Sequence, residues 1–147
     1  MPDQQPSHRR QTALAVVDAY NKWSLDTIMA VRADNCIHQV LPRTLGRQEM
    51  DNATYAGYFG AMIPHFKDFT VTVDDIFEDA QENKVVIWAR STAETEIGPY
   101  ANEYSLMLYF NEAGDKVTKF LEFVDSQNSI IFFPKLREHI AKKAAST

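Results

Sequence analysis

A single carboxylate set into an otherwise apolar strand constrains this chain more than any other feature. Asn111-Glu112-Ala113-Gly114-Asp115 separates two runs rich in β-branched and aromatic residues and reads as a three-residue hairpin loop with Gly114 in the left-handed position. That register pairs Phe110 with Lys116, Leu108 with Thr118, Leu106 with Phe120 and Tyr104 with Glu122. Side chains alternate across a strand, so one face gathers Tyr104, Leu106, Leu108, Phe110, Thr118, Phe120, Glu122 and Val124. Such a face becomes core. An unpaired buried carboxylate is costly, so Glu122 has to be wetted by a cavity, hydrogen-bonded or held protonated. It is the first candidate for chemistry, the alternative being a structural carboxylate that accepts hydrogen bonds from backbone or from the Tyr104 hydroxyl.

Ahead of the hairpin the texture is helical. Ser7 is placed to cap a helix running to about Trp23, with Ala13, Val16, Val17 and Tyr20 on one face. Ser24 would cap a second, short helix in which Leu25, Ile28, Met29 and Arg32 share a face. Residues 35–42 read as a short extended piece ended by Pro42. Asp51 caps a third helix, whose stripe is Tyr55, Tyr58, Phe59 and Met62, with Met50 stapling onto Tyr55 and Pro64 closing it. Alternation then marks strands at 69–73 and 84–95, and Pro134 suits the first position of a C-terminal helix. Helices followed by a long antiparallel meander make an α+β chain. A strongly curved sheet wrapped around the N-terminal helices forms a cone, which has an interior. The expected organisation is a disordered lead-in over residues 1–9 and one domain over 10–143.

The outer face of the hairpin carries Glu103, Ser105, Met107, Tyr109, Val117, Lys119, Leu121 and Phe123. This mixed surface is too apolar to stay fully wet, so a homodimer through it is expected. With 147 residues, a net charge of −5 and no basic stripe, the chain offers nothing to nucleic acid. No apolar run approaches membrane-spanning length, and the polar start, Met1 to Arg10, has no signal-peptide core. A soluble cytoplasmic protein is expected. Cys36 stands alone, which leaves no disulfide framework and no thiolate metal site, and it is read as a small hydrophobe. The four histidines do not fall at metal-ligand spacing, and there is no phosphate loop or nucleophile elbow. The expected chemistry therefore uses no cofactor and no metal.

Other residues join Glu122 as candidates. His38 lies where the extended piece would point into the cone, as a proton shuttle or as a structural histidine on a backbone carbonyl. Asp125 has the opposite parity but ends the strand, so it either turns toward the rim or caps the turn through Asn128. Tyr20, Tyr58, Trp88, Arg90, Tyr104 and Phe120 are candidates for the pocket wall. His8, His65 and His139 read as structural or solvent-facing, and Glu94 and Glu96 as a solvated loop at the cavity mouth.

Two segments resemble a known family. His38 with Pro42 and Gly46, and Gly114-Asp115-Lys116-Val117 leading to Glu122 and Asp125, are similar to signatures of SnoaL-like polyketide cyclases of the nuclear-transport-factor-2-like fold. The resemblance covers residues 10–127 and implies a cone-shaped α+β barrel whose inward strand carboxylate is the general base or acid. Residues 97–104 and the Glu122–Ser126 pentad resemble a fungal branch that isomerises and cyclises aromatic polyketides or meroterpenoids, including tetrahydroxanthone ring closure. Two departures matter: Arg90-Ser91-Thr92 keeps only the Arg of the epoxide-hydrolase Arg-x-Asp, and Phe120 stands where bacterial cyclases carry a His. What the resemblance implies is an isomerase or cyclase in which Glu122 removes a proton and His38 supplies or relays one. A scytalone-type dehydratase and a non-catalytic ligand-binding or dimerisation module are the alternatives; whether the cone is open or filled with side chains separates catalysis from the module.

Overall fold

The computed structural model describes residues 5–146. Helix α1 (His8–Lys22) starts where the Ser7 side chain accepts a hydrogen bond from the Arg10 amide, and it stops at Trp23, whose backbone is left-handed (φ 53°). It begins two residues inside the stretch expected to precede the domain, and Met1–Gln4 lie outside the described residues. Helix α2 (Leu25–Ala30) is shorter than its apolar spacing implies, and Ser24 gives it no side-chain cap. Arg32, expected on that helix, instead opens strand β1 (Arg32–Leu41). Helix α3 (Asn52–Met62) is capped by Asp51, which accepts from the Thr54 amide as its spacing implied.

Four more strands follow: β2 (Lys67–Asp79), β3 (Lys84–Thr95), β4 (Gly98–Phe110) and β5 (Val117–Val124). The sheet order is β1-β5-β4-β3-β2. The β2 to β5 run is an antiparallel meander, but β1 pairs with β5 in parallel, so the sheet is mixed rather than wholly antiparallel. Helix α4 (Ser126–Ala145) begins eight residues before Pro134, because Asp125 caps it by accepting from the Asn128 amide; Pro134 lies inside it. Among the described residues no helix is long and apolar enough to cross a membrane.

The hairpin keeps its expected inner face but not its expected register. Tyr104 pairs with Val124, Leu106 with Glu122 and Leu108 with Phe120, a slip of two residues. A slip of two preserves which side each chain points to, whereas a slip of one would have reversed it. The cause is a longer loop: Asn111 bonds with its backbone and side chain to Lys116 and Asp115, and a bulge between Tyr109 and Phe110 lets Phe110 meet Val117. Val117, expected outside, is therefore fully buried. Gly114 does take the left-handed conformation (φ 73°), and its carbonyl accepts from the Thr12 hydroxyl of α1.

Inside the curve, Ala13, Val16 and Val17 of α1 pack on Val85, Ile87, Leu106 and Leu108. Full burial of such aliphatic side chains contributes about 1.5–3 kcal/mol each. Outside the curve, Phe77, Trp88 and Phe123 are exposed.

Candidate active site

The strands do not stay apolar along their length. On β3 the inward positions run Val85, Ile87, Ala89, Ser91, Ala93, shrinking toward the end of the strand. Opposite Ser91 and Ala93, β4 brings in Asn102 and Tyr100. Small residues on one strand leave room for large polar ones on the next, and a cavity of about 530 Å³ opens there. That size is within the range of small-molecule sites. Its wall is mostly aromatic and aliphatic: Trp23 stacks on Phe69 at 4.0 Å, Phe59 meets Trp23 edge-on at 5.3 Å, and Phe66 meets Tyr100 edge-on at 5.2 Å.

Glu122 lines this cavity from β5 with its side chain partly exposed. Its Oε1 lies 2.9 Å from Nε2 of His38, which is completely buried. The β1 backbone at His38 is held by reciprocal hydrogen bonds with Met50, and the imidazole lies flat between Tyr55 (4.3 Å) and Phe120 (4.4 Å). Behind it sits Arg32, also buried, with a guanidinium nitrogen 2.8 Å from His38 Nδ1 and its Cζ 3.8 Å above the Tyr55 ring.

This chain of contacts fixes the histidine tautomer. A guanidinium only donates, so Nδ1 must accept and carries no proton. A neutral imidazole has one N–H, which then sits on Nε2 and donates to Glu122. Burial, followed by the nearby Arg32 charge, lowers the His38 pKa; the Glu122 contact opposes them without overcoming burial. His38 is thus a fixed donor that orients one carboxylate oxygen and leaves the other to the cavity. The imidazolium relay implied by the family resemblance would require Arg32 to give up Nδ1.

Tyr100 and Tyr104 carry a second polar group on the wall. Tyr104 OH bonds with Ser91 Oγ at 2.7 Å and with Tyr100 OH at 3.2 Å, while Asn102 donates to Tyr100 OH at 2.9 Å. Burial pushes the Tyr104 phenol well above its ordinary pKa of 10.0, assisted by Tyr100 and the Glu122 charge; burial also takes Tyr100 up to about 12. Both hydroxyls stay protonated at neutral pH; one donates to the other, which leaves a single phenol proton of the pair to donate elsewhere. Tyr20 and Tyr55 bond to each other and line the cavity beside Arg32, their phenols likewise raised by burial.

Of the residues singled out in the sequence, Glu122, Tyr20, Tyr58, Tyr104 and Phe120 line the cavity and His38 touches its carboxylate. Asp125 does not: it caps α4 and is exposed. Trp88 and Arg90 face outward, where Trp88 donates to Glu103 and Arg90 pairs with Asp74. The alternation of β3 turns them away, since Val85, Ile87 and Ala89 hold the inner positions. Arg32, Tyr55, Tyr100, Asn102, Arg47 and Arg137 were not picked out as site residues. The 3.6-residue spacing from Ile28 puts Arg32 on α2; its place beside His38 follows only once β1 is known to start at Arg32. Among the described residues no group of three or more His, Cys, Asp or Glu side chains converges.

A curved sheet over helices, with a carboxylate held in an aromatic-lined cavity, defines a cone-shaped α+β protein with a small-molecule-sized pocket. No family model matches the chain. It is 35% identical over 129 residues to core atranone cluster protein 11 of Stachybotrys chlorohalonatus, covering 88% of this chain and 96% of that one. It is 31% identical over 125 residues to the protein named monooxygenase nsrQ of Aspergillus novofumigatus, covering 85% and 83%. Among solved structures it is similar to the BvnE pinacolase of Penicillium brevicompactum (27% identity, TM-score 0.83, 93% and 96% covered). The fold is also that of a SnoaL-like polyketide cyclase structure from Shewanella denitrificans (11% identity, TM-score 0.69, 82% and 92% covered). The chain belongs to the family of these fungal relatives, core atranone cluster protein 11 and nsrQ, and its fold is that of the SnoaL-like, nuclear-transport-factor-2-like structures.

Proposed function

We propose that this chain is an isomerase or cyclase that rearranges an aromatic polyketide or meroterpenoid intermediate by acid–base chemistry, with Glu122 as the base. The observation that carries the reading is the oriented carboxylate: His38 Nε2–H holds Glu122 Oε1 at 2.9 Å at the wall of an aromatic cavity. The free carboxylate oxygen takes a proton from a phenol or an activated carbon. Negative charge that develops on a substrate carbonyl oxygen is met by the one phenol proton that the hydrogen-bonded Tyr104–Tyr100 pair leaves free. Glu122 then returns the same proton to the enolate carbon after ring closure, so no atom is gained or lost. His38 stays neutral throughout. The aromatic walls hold a flexible substrate in one reactive fold, which converts binding into regioselectivity.

Glu122→Gln tests this directly. With candidate aromatic polyketide intermediates as substrates and products followed by mass and chirality, the variant is expected to keep fold and ligand affinity while turnover falls about 10²-fold or more. Near-normal turnover in folded Glu122→Gln would sink the assignment. Inactivity of both proteins with retained binding would favour a ligand-carrying role.

Assembly is part of the same proposal. Phe123 (45% exposed) and Trp88 (47%) share the outer face with Met107 and Leu121, and a second copy covering that face would remove them from water. Sedimentation at micromolar concentration should give a dimer; a monomer there would reject it.

A further inference from the structure

The chain carries a net charge of −5, yet the charged side chains lining its cavity are Arg47, Arg137 and Glu122. Arg47 comes from the turn after β1 and Arg137 from α4. Neither forms a salt bridge with an acidic side chain among the described residues. Both line the cavity together with Tyr58. The Arg47 guanidinium stands 5.5 Å above the Tyr58 ring centroid, and the charges of Arg47 and Arg137 oppose the upward push of burial on that phenol's pKa. Two guanidinium groups without carboxylate partners, facing an apolar space, offer planar forks of donors suited to a bidentate oxyanion.

Electrostatics also gives the direction. An anion is repelled by Glu122 and drawn to the arginines, so a substrate with one charged end can enter productively in only one sense. On helix α4 Ser129 also lines the cavity, while its hydroxyl oxygen is itself covered and has no hydrogen-bond partner among the described residues. Eight residues separate it from Arg137, about 12 Å along the helix, a spacing suited to an elongated fused-ring body. We infer that Arg47 and Arg137 hold an anionic oxygen group of the substrate, a carboxylate or the ionised enol of a 1,3-dicarbonyl, while the uncharged reacting end faces Glu122. The substrate class is therefore an aromatic organic acid. Its orientation rests on Glu122 being the base, whereas the anion site stands on the arginines alone.

The test uses the full chain and three probes in titration calorimetry: 2-naphthoate, its neutral counterpart 2-naphthamide, and 2-acetyl-1,3-indandione as an ionised 1,3-dicarbonyl. At neutral pH at least one of the anions should bind roughly tenfold or more tightly than the amide, the scale of one charged hydrogen bond; naphthoate alone would identify a carboxylate and the dicarbonyl alone an enol. Arg47→Met/Arg137→Met should erase that preference and leave amide affinity unchanged; Arg47→Gln/Arg137→Gln, checked by circular dichroism, serves if the first pair does not fold. Glu122→Gln should keep the preference, so a failure of the base assignment shows in turnover and a failure of the anion site shows here. Equal binding of anions and amide, binding of none, or a preference that survives loss of both arginines would overturn the inference.

Discussion

The two ends of the same sheet are built by opposite rules. Near the hairpin turn, Val85 faces Leu108 and Ile87 faces Leu106, and Val85, Ile87 and Leu108 are at most 1% exposed. At the other end Ser91 faces Asn102 and Ala93 faces Tyr100, on the same two strands and in the same register. The closed end packs aliphatic side chains between the strands, and its side-chain hydrogen bonds, such as Thr12 to the Gly114 carbonyl and Asn83 to the Phe110 carbonyl, lie at the hairpin rim. The open end gives up packing for a cavity, and its buried polar groups are joined into chains: Ser91–Tyr104–Tyr100–Asn102 on β3 and β4, Arg32–His38–Glu122 on β1 and β5. One end is built for stability and the other for orientation. Changing the inward residues of two strands is enough to pass from one to the other.

The sharpest contrast is expected at the closed end. Leu108→Ala should lower unfolding free energy by about 2–5 kcal/mol in urea denaturation, since it deletes a fully buried side chain and leaves a cavity; turnover per folded molecule should hardly change. Tyr104→Phe at the open end should show the reverse, a loss of up to about 10² in turnover with a much smaller stability change. The comparison breaks if Tyr104→Phe unfolds the protein as readily as Leu108→Ala, or if both cost the same turnover.

The smallest effect concerns acid. The His38 pKa is held below its usual 6.5 in the folded chain, chiefly by burial, so the unfolded chain takes up a proton there that the folded one does not. Stability from this residue is therefore complete above about 6.5 and lost as pH falls below it. Glu96, held down to about 2 by hydrogen bonds from Lys143 and His139, loses its share only below the ordinary 4.5. Between pH 7.5 and 5.5, His38→Gln should therefore lose less stability in urea than the wild type. An equal loss in both would reject the buried neutral imidazole.

How much of this was legible in the sequence follows the same division. Period-two alternation was enough to put Glu122, Phe120 and Tyr104 on the inner face, because a register error of two residues does not change sides. Alternation in β3 was harder to read: Trp88 and Arg90 carry the chemistry that suggests a pocket, but Val85, Ile87 and Ala89 had the stronger claim to the core. Pro134 drew attention as a helix start, although it can occupy an interior turn once Asp125 has capped the helix upstream. Arg32 and Tyr55 escaped as site residues for a different reason. Their roles come from β1 lying parallel to β5, a pairing between segments some eighty residues apart that no local pattern encodes. Within β1, Arg32, Cys36 and His38 share the buried side, as their even spacing along a strand requires.

Glu122 can serve as the base only while His38 donates to it and Arg32 keeps Nδ1 unprotonated. Long-range ¹H–¹⁵N correlation spectra of the labelled protein read this without any substrate. At pH 7 the His38 ring should show a protonated Nε2 and a bare Nδ1, and its titration midpoint should fall below 6.5. A ring protonated on Nδ1 at pH 7, whether as the other tautomer or as imidazolium, would contradict the account.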